Sequence, residues 1–225
     1  MSMIVDLYNR VSQLTKSGTS GYVDQDEFNG IVYSAQFNLA DMLIDKVGIN
    51  NKANDAVNWL KVRADLSADT SGMISIPDDY FRLDIISLLQ NNNEYDMSEV
   101  QRNQIPSIKN DSIVMPDLTT GDAYFYFENS AIFTLPEQAM NVRFRYFKNP
   151  TTATIVLTPS NTGGNDYLTP TAGTELEWPV SAFNLLAYIV LLDYGFEMKE
   201  EAVMEFAKFG IAWDNVKNES QNAEK

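Results

Sequence analysis

The sequence predicts an α+β fold: N- and C-terminal helices forming a helical bundle, with a central antiparallel β meander. Apolar residues recur at helical spacing near both ends, and the middle switches to period two. Of the 225 residues, 44% are hydrophobic, enough for a sizeable core. The expected organisation is a single domain over 1–225, in which 1–65 and 177–217 supply the bundle, 73–150 the β-rich part, 151–176 an extended loop or arm, and 218–225 a polar tail.

Ile4, Leu7, Tyr8, Val11 and Leu14 put one apolar face on a helix over 3–16, which Ser17-Gly18-Thr19-Ser20-Gly21 breaks. A longer helix starts at about residue 25, with Phe28, Ile31, Val32, Ala35, Phe37, Leu39, Met42, Leu43 and Val47 apolar and Gly48 at its end. Asp24 and Glu27 suit an N-cap and capping box, and Tyr22 and Val23 stand where they could staple the helix start. The stretch 54–64, with Val57, Leu60 and Val62, fits either helix or strand.

Period two then takes over. Met73-Ile74-Ser75-Ile76 precedes Pro77, 83–89 reads as a buried strand, and 91–94 as a turn. Residues 98–104 suit a short helix with Ser98 as cap. Strands are expected at 112–115, 123–128 and 131–135, the last two joined tightly at Asn129-Ser130. Over 142–147, Val142, Phe144 and Tyr146 take one face and Arg143, Arg145 and Phe147 the other. The Thr-, Pro-, Gly- and Asn-rich stretch 151–174 holds only Ile155-Val156-Leu157 as a strand-like island and reads as a loop or arm. Glu177-Trp178-Pro179 opens a helix over 181–194, Gly195 stands to break it, and a last helix over 199–216 carries Val203, Phe206, Ala207, Gly210, Ile211 and Trp213.

The chain contains no histidine and no cysteine, which removes thiolate nucleophiles, Cys/His zinc sites, imidazole-dependent triads and disulfides. A formal charge of −15 disfavours adhesion to nucleic acid, because phosphate contacts need clustered Lys and Arg. Signal-peptide features are not seen, and the most apolar stretch, 182–192, is too short to span a bilayer.

Apparent sites resolve into structural readings. Residues 16–27 can be aligned as a calcium loop with Gly21, Val23 and Glu27 in register, but Lys16, Gly18 and Ser20 occupy the first ligand positions, so a helix cap is the better reading. Asp78 and Asp79 are adjacent and therefore diverge; Asp78 suits a turn cap, with Arg82 near enough to pair with either. Glu175, Glu177, Glu197, Glu200, Glu201 and Glu205 read as solvated faces, with Lys199 and Lys208 partly balancing the latter four. Gly163-Gly164-Asn165 lacks the lysine and strand-to-helix context of a phosphate loop. Tyr124-Phe125-Tyr126-Phe127 puts aromatics on both faces of one strand, one face core and the other either covered or an interface. No catalytic, cofactor-binding or metal-ligating residue is assigned, and no cofactor is expected.

Four segments carry a resemblance to a family. Gly21-Tyr22-Val23-Asp24-Gln25-Asp26-Glu27-Phe28-Asn29, running on to Ala35-Gln36, resembles the start of structural proteins from phages of Bacteroidetes, including crAss-like phages. Ile76-Pro77-Asp78-Asp79-Tyr80-Phe81-Arg82-Leu83 is similar to an "LPxDYxRL" segment. Residues 131–136 followed by 142–150 resemble a "strand, Pro, then RYY-x-x-P" meander, and Leu176-Glu177-Trp178-Pro179 opens the late helix. Together they resemble the head-to-tail adaptor proteins of short-tailed bacteriophages, the ring bound beneath the portal. The loop over 151–174 has no counterpart in that pattern.

The resemblance implies a non-enzymatic virion protein at the head–tail interface, made in the host cytoplasm. It implies a homo-oligomeric, dodecameric ring joining the portal protein to other tail or ring proteins. Genomic DNA would pass through the lumen during ejection without sequence-specific binding, and no membrane is involved. A rival reading is a tail-associated glycan-binding or depolymerising component. That requires facing carboxylates in an aromatic-lined cleft, and no such pairing is visible in the sequence. A second rival, a calcium-regulated module, rests on 16–27 alone.

Overall fold

The computed structural model describes residues 2–15, 23–110, 115–162, 165–198, 204–205, 207–208 and 210–212. Two compact units are built from them: Met1–Trp59 with Pro150–Lys225, and Leu60–Asn149.

In the first unit, α1 (Met3–Thr15) buries Ile4, Leu7, Tyr8 and Val11, the stripe its spacing requires. Helix α2 (Gln25–Ile44) starts at Asp24, whose carboxylate accepts the N–H groups of Asp26 at 2.9 Å and Glu27 at 3.1 Å. Tyr8 meets Phe28 edge-on, with centroids 5.2 Å apart, and donates its hydroxyl to the Val23 carbonyl. The chain leaves α2 through turns over 45–49, in which Gly48 takes a φ of +84°. Helix α3 (Asn51–Val57), capped by Asn50, runs into a 3₁₀ turn (Asn58–Leu60), so 54–64 is first helix and then strand.

The second unit opens with β1 (Lys61–Ala68), β2 (Met73–Ser75), β3 (Tyr80–Gln90), β4 (Asn93–Asp96) and β5 (Ser98–Glu99). A 3₁₀ turn (Arg102–Gln104) and α4 (Ile105–Asn110) precede β6 (Tyr124–Glu128), β7 (Ala131–Leu135) and β8 (Met140–Lys148). The helix expected at 98–104 thus begins later, because Ser98 and Glu99 pair in parallel with Tyr124 and Phe125. The strand expected at 112–115 lies mostly outside the described residues, and Met115 is in a bend.

Two four-stranded sheets result, ordered β1-β8-β3-β4 and β2-β7-β6-β5. Their facing sides share one core, with Ile86, Leu88, Val142, Phe144 and Tyr146 from one sheet and Ile74, Phe125 and Ile132 from the other. Each of those side chains contributes about 1.5–3 kcal/mol by leaving water. The opposite side of the second sheet, Tyr126 and Leu135 with partly buried Tyr124 and Phe133, is covered by Ile105 and Ile108 of α4. The outward pair, Tyr124 and Tyr126, is therefore covered, whereas of the pair on the core side Phe125 is buried and Phe127 is half-exposed.

The chain then returns to the first unit. Strands β9 (Thr154–Thr162) and β10 (Asn165–Thr174) form a two-stranded antiparallel ribbon that packs on α1 and α2. Helix α5 (Val180–Met198) continues through Gly195 and buries Ala182, Leu186, Val190 and Tyr194 among others, packing on α1 and α2. Of the last helix expected, residues 204–205, 207–208 and 210–212 are helical and the rest lies outside the described residues. At Gly210 a Cβ would stand 2.4 Å from the Tyr188 ring, so only glycine permits that approach.

The expected bundle of N- and C-terminal helices around a central antiparallel β meander is overturned. Helices and strands are interleaved in the first unit, where the ribbon occupies the flanks of α1 and α2. The β-rich middle is two sheets with non-sequential order, in which β8 inserts between β1 and β3, and it includes a parallel pair. Loop-like composition hid the ribbon: its threonines are β-branched and suit strands, while prolines and glycines suggest turns.

Candidate functional site

One charged cluster lies on the outer side of the β1-β8-β3-β4 sheet. Alternation puts Asp65 of β1 opposite Arg143 of β8, and Ser87 of β3 opposite both Arg143 and Asp96 of β4. Arg143 donates Nε to Asp65 Oδ1 at 2.8 Å and Nη2 to Asp65 Oδ2 at 3.1 Å. Its Nη1 reaches Glu94 Oε2 at 2.7 Å, and Arg145 donates to the other Glu94 oxygen. Hydrogen bonding to Arg143 holds the carboxyls of Asp65 and Glu94 below their ordinary values and raises the guanidinium's own. The fork and its two carboxylates tie β1, β8 and β4 together; this is a clamp.

The second cluster lines a cleft of about 450 Å³ in the same unit. Strand β3 supplies Tyr80, Arg82 and Asp84, the β4–β5 segment Asp96 and Glu99, and β6 the half-exposed ring of Phe127. Ile86, Met97 and Phe125 close its floor. Two irregularities in β3 shape this wall: Phe81 is extra between the Tyr80–Lys148 and Arg82–Phe147 pairs, and Asp84 between Leu83–Tyr146 and Ile85–Arg145. Such bulges re-aim side chains, and they are frequent beside binding sites. Tyr80 stacks on Phe144 at 5.8 Å, and its hydroxyl pKa is raised by burial and, less strongly, by the charge of Glu99. Phe127 is held edge-on to Phe125 at 6.0 Å, and Asp96 accepts the Ser87 hydroxyl at 2.9 Å.

The third feature is the ribbon. Asn29 of α2 accepts the Ile155 N–H at 2.8 Å and donates to the Ile155 carbonyl at 3.2 Å, while Gln25 accepts the Leu157 N–H at 2.8 Å. The N–H groups of Ile155 and Leu157 therefore point away from β10. Because pairs alternate, Pro159 on β9 and Pro170 on β10 also place their donorless nitrogens on outer edges. Neither edge offers an uninterrupted template for another strand. Ile155, Leu157, Pro159, Leu168 and Pro170 share one face, on which Ile155 is buried, Leu157 and Pro170 are half-buried, and Pro159 and Leu168 are exposed.

The residues singled out from the sequence do not converge. Residues 16–22 of the calcium-loop alignment lie outside the described residues, and the Asp24 carboxylate is engaged as helix cap. Asp78 and Asp79 occupy the turn before β3; Asp79 accepts the Tyr146 hydroxyl at 2.7 Å, and its carbonyl accepts the Asn149 N–H. Burial, then the Asp79 bond, pushes the Tyr146 pKa up to about 12. Glu175 is exposed, as its loop reading expects, and its Oε1 also accepts the N–H groups of Ile4 and Leu176, both at 2.9 Å. Burial opposes its charge, but those bonds and one from Ser2 outweigh the penalty and lower its pKa. Glu177 accepts the Thr151 hydroxyl at 2.7 Å. Glu205 is exposed, while the side chains of Glu197, Glu200 and Glu201 lie outside the described residues, as do Gly163 and Gly164.

Sequence reasoning missed the cleft because Asp84, Asp96 and Glu99 have no motif spacing; only β3 bulging beside the β4–β5 connection assembles them. They are not grouped closely enough to cage a metal ion, and among the described residues no other Asp/Glu group is either. No described helix is long and apolar enough to cross a membrane. No protein-family model matches the chain, and no curated protein is significantly similar to it.

Proposed function

We propose that this protein is a structural adaptor, a subunit of an oligomeric ring joining the portal of a short-tailed phage to its tail around the DNA channel. The carrying observation is the ribbon of β9 and β10: its edges are closed by Asn29, Gln25 and two prolines, while Pro159 and Leu168 leave the outer end of one apolar face exposed. Edges closed and a face open suit a surface that meets a neighbouring copy by packing rather than by strand addition. A ring repeats one such heterologous contact until it closes. The adaptor-like segments supply joints of the scaffold: Gln25 and Asn29 fasten the ribbon, Asp79 receives Tyr146, and Trp178 is buried against Trp59 with centroids 5.3 Å apart. The chain's net charge of −15 suits a channel past which DNA slides without adhering.

Native mass spectrometry and electron microscopy of the purified protein, alone and with portal protein, test the reading. The expected result is a closed ring that binds portal. Leu168→Asp should abolish it while leaving the circular dichroism spectrum unchanged. A strict monomer that joins neither portal nor tail proteins would refute the assignment.

A further inference from the structure

The cleft beside β3 has no part in the ring contact proposed for the ribbon, and its chemistry points elsewhere. Its volume of about 450 Å³ lies within the roughly 300–1,000 Å³ range of small-molecule sites. Three carboxylates, Asp84, Asp96 and Glu99, line the cleft with one guanidinium, Arg82, so phosphate, sulfate and uronate ligands would meet net repulsion. An aromatic ring, Phe127, stands 39% exposed at the rim, fixed edge-on against Phe125. Planar acids beside a guanidinium offer paired acceptors and donors at the spacing of neighbouring hydroxyls, and an exposed ring offers a platform for an aliphatic C–H face. A sugar ring carries both kinds of surface on opposite sides.

From this we infer that the cleft binds an uncharged glycan, a short run of hexose or N-acetylhexosamine residues. Phe127 stacks under one ring. Asp84, the extra residue of a bulge and part of the cleft lining, and Glu99 accept hydrogen bonds from hydroxyls, while Arg82 donates to ring or hydroxyl oxygens. Asp96 is anchored through one oxygen by Ser87, which holds that side of the cleft in place when it is empty as well as when it is filled. The site is for binding; no bond is broken in it.

The test is a binding screen of the intact protein on an array of neutral, amino and sulfated oligosaccharides, followed by calorimetry with the best neutral hit. The expected result is saturable binding of neutral glycans and none of sulfated ones. Phe127→Ala should weaken that binding about tenfold, the scale of one lost stacking contact. Glu99→Gln, at an exposed position that folding does not require, should weaken it comparably. Neutral binding unaffected by both variants would place the glycan elsewhere and overturn the assignment. So would an array with no neutral hit, or binding of an Arg/Lys-rich peptide in place of sugars. Ring assembly measured on the same variants keeps the two readings separable, since neither substitution touches the ribbon.

Discussion

The carboxamide of Asn29 meets the main chain of Ile155 twice, accepting its N–H at 2.8 Å and donating to its carbonyl at 3.2 Å across 126 residues. A side chain on a helix thereby does what a neighbouring strand would do, and closes one edge of the ribbon. Asn29→Ala leaves both groups of Ile155 without these bonds and should cost about 1–3 kcal/mol. Hydrogen exchange at the Ile155 amide should be slowest in the wild type, intermediate in Asn29→Asp, which keeps an acceptor, and fastest in Asn29→Ala. Equal exchange in all three would show that the ribbon is held by other contacts.

Gln36 is 1% exposed on α2, and neither end of its amide has a hydrogen-bond partner among the described residues. Burying such a group unpaired costs about 1–3 kcal/mol, and a methionine fills nearly the same space without that penalty. Gln36→Met should raise the thermal midpoint. A lowered midpoint would mean that the amide is satisfied in solution, for instance by a buried water.

The Tyr146 hydroxyl, raised to about 12 by burial and by donation to Asp79, makes an alkaline prediction. The folded state favours the protonated phenol, so this contribution is complete below the ordinary tyrosine value near pH 10 and is lost as pH rises through the folded value. Burial moves Tyr80 and Tyr126 the same way. Ultraviolet titration should show late-ionising tyrosines, and Asp79→Asn should bring one of them forward. A titration identical in the variant would contradict the Asp79 bond.

At acid pH the clamp around Arg143 gives way. Its hydrogen bonds hold Asp65 and Glu94 below their ordinary values, so the stabilisation is present above about pH 4 and is lost as pH falls through the lowered values. Thermal midpoints recorded from neutral pH downward should fall less steeply in Arg143→Gln than in the wild type. Arg143→Lys should fall between the two, since an ammonium keeps the charge but not the fork to Asp65. Parallel slopes in all three proteins would rule the clamp out as a source of acid sensitivity.

Features set by adjacent residues are legible in the sequence. Val142, Phe144 and Tyr146 alternate into the core as period two demands. Asn91-Asn92 and Asn129-Ser130 all take positive φ, the conformation of tight hairpins in which asparagine is tolerated. Asp24 caps α2 because its short side chain reaches the first free N–H groups, a property of adjacent residues. Local composition misleads where a partner elsewhere in the chain overrules it. Thr154 to Thr174 pairs into strands because α2 supplies Asn29 and Gln25, and Ser98-Glu99 is drawn into a parallel pair by β6. Glu175 is exposed as read, but its bond to the Ile4 N–H at the start of α1 has no local signal.

By itself, then, the sequence determined the helical stripes of α1 and α2, the period-two middle, the caps and hairpin turns, and the lack of imidazole and thiol chemistry, since each depends on residue identity or on spacing of a few positions. Tertiary structure alone decided the sheet orders, the place of the ribbon, the Asp65–Arg143–Glu94 clamp and the cleft that gathers Asp84, Asp96, Glu99 and Phe127. The reason is physical: local conformation follows from short-range sterics and hydrogen bonds, whereas a cleft or a clamp exists only when segments remote in sequence find the packing that buries their apolar faces together.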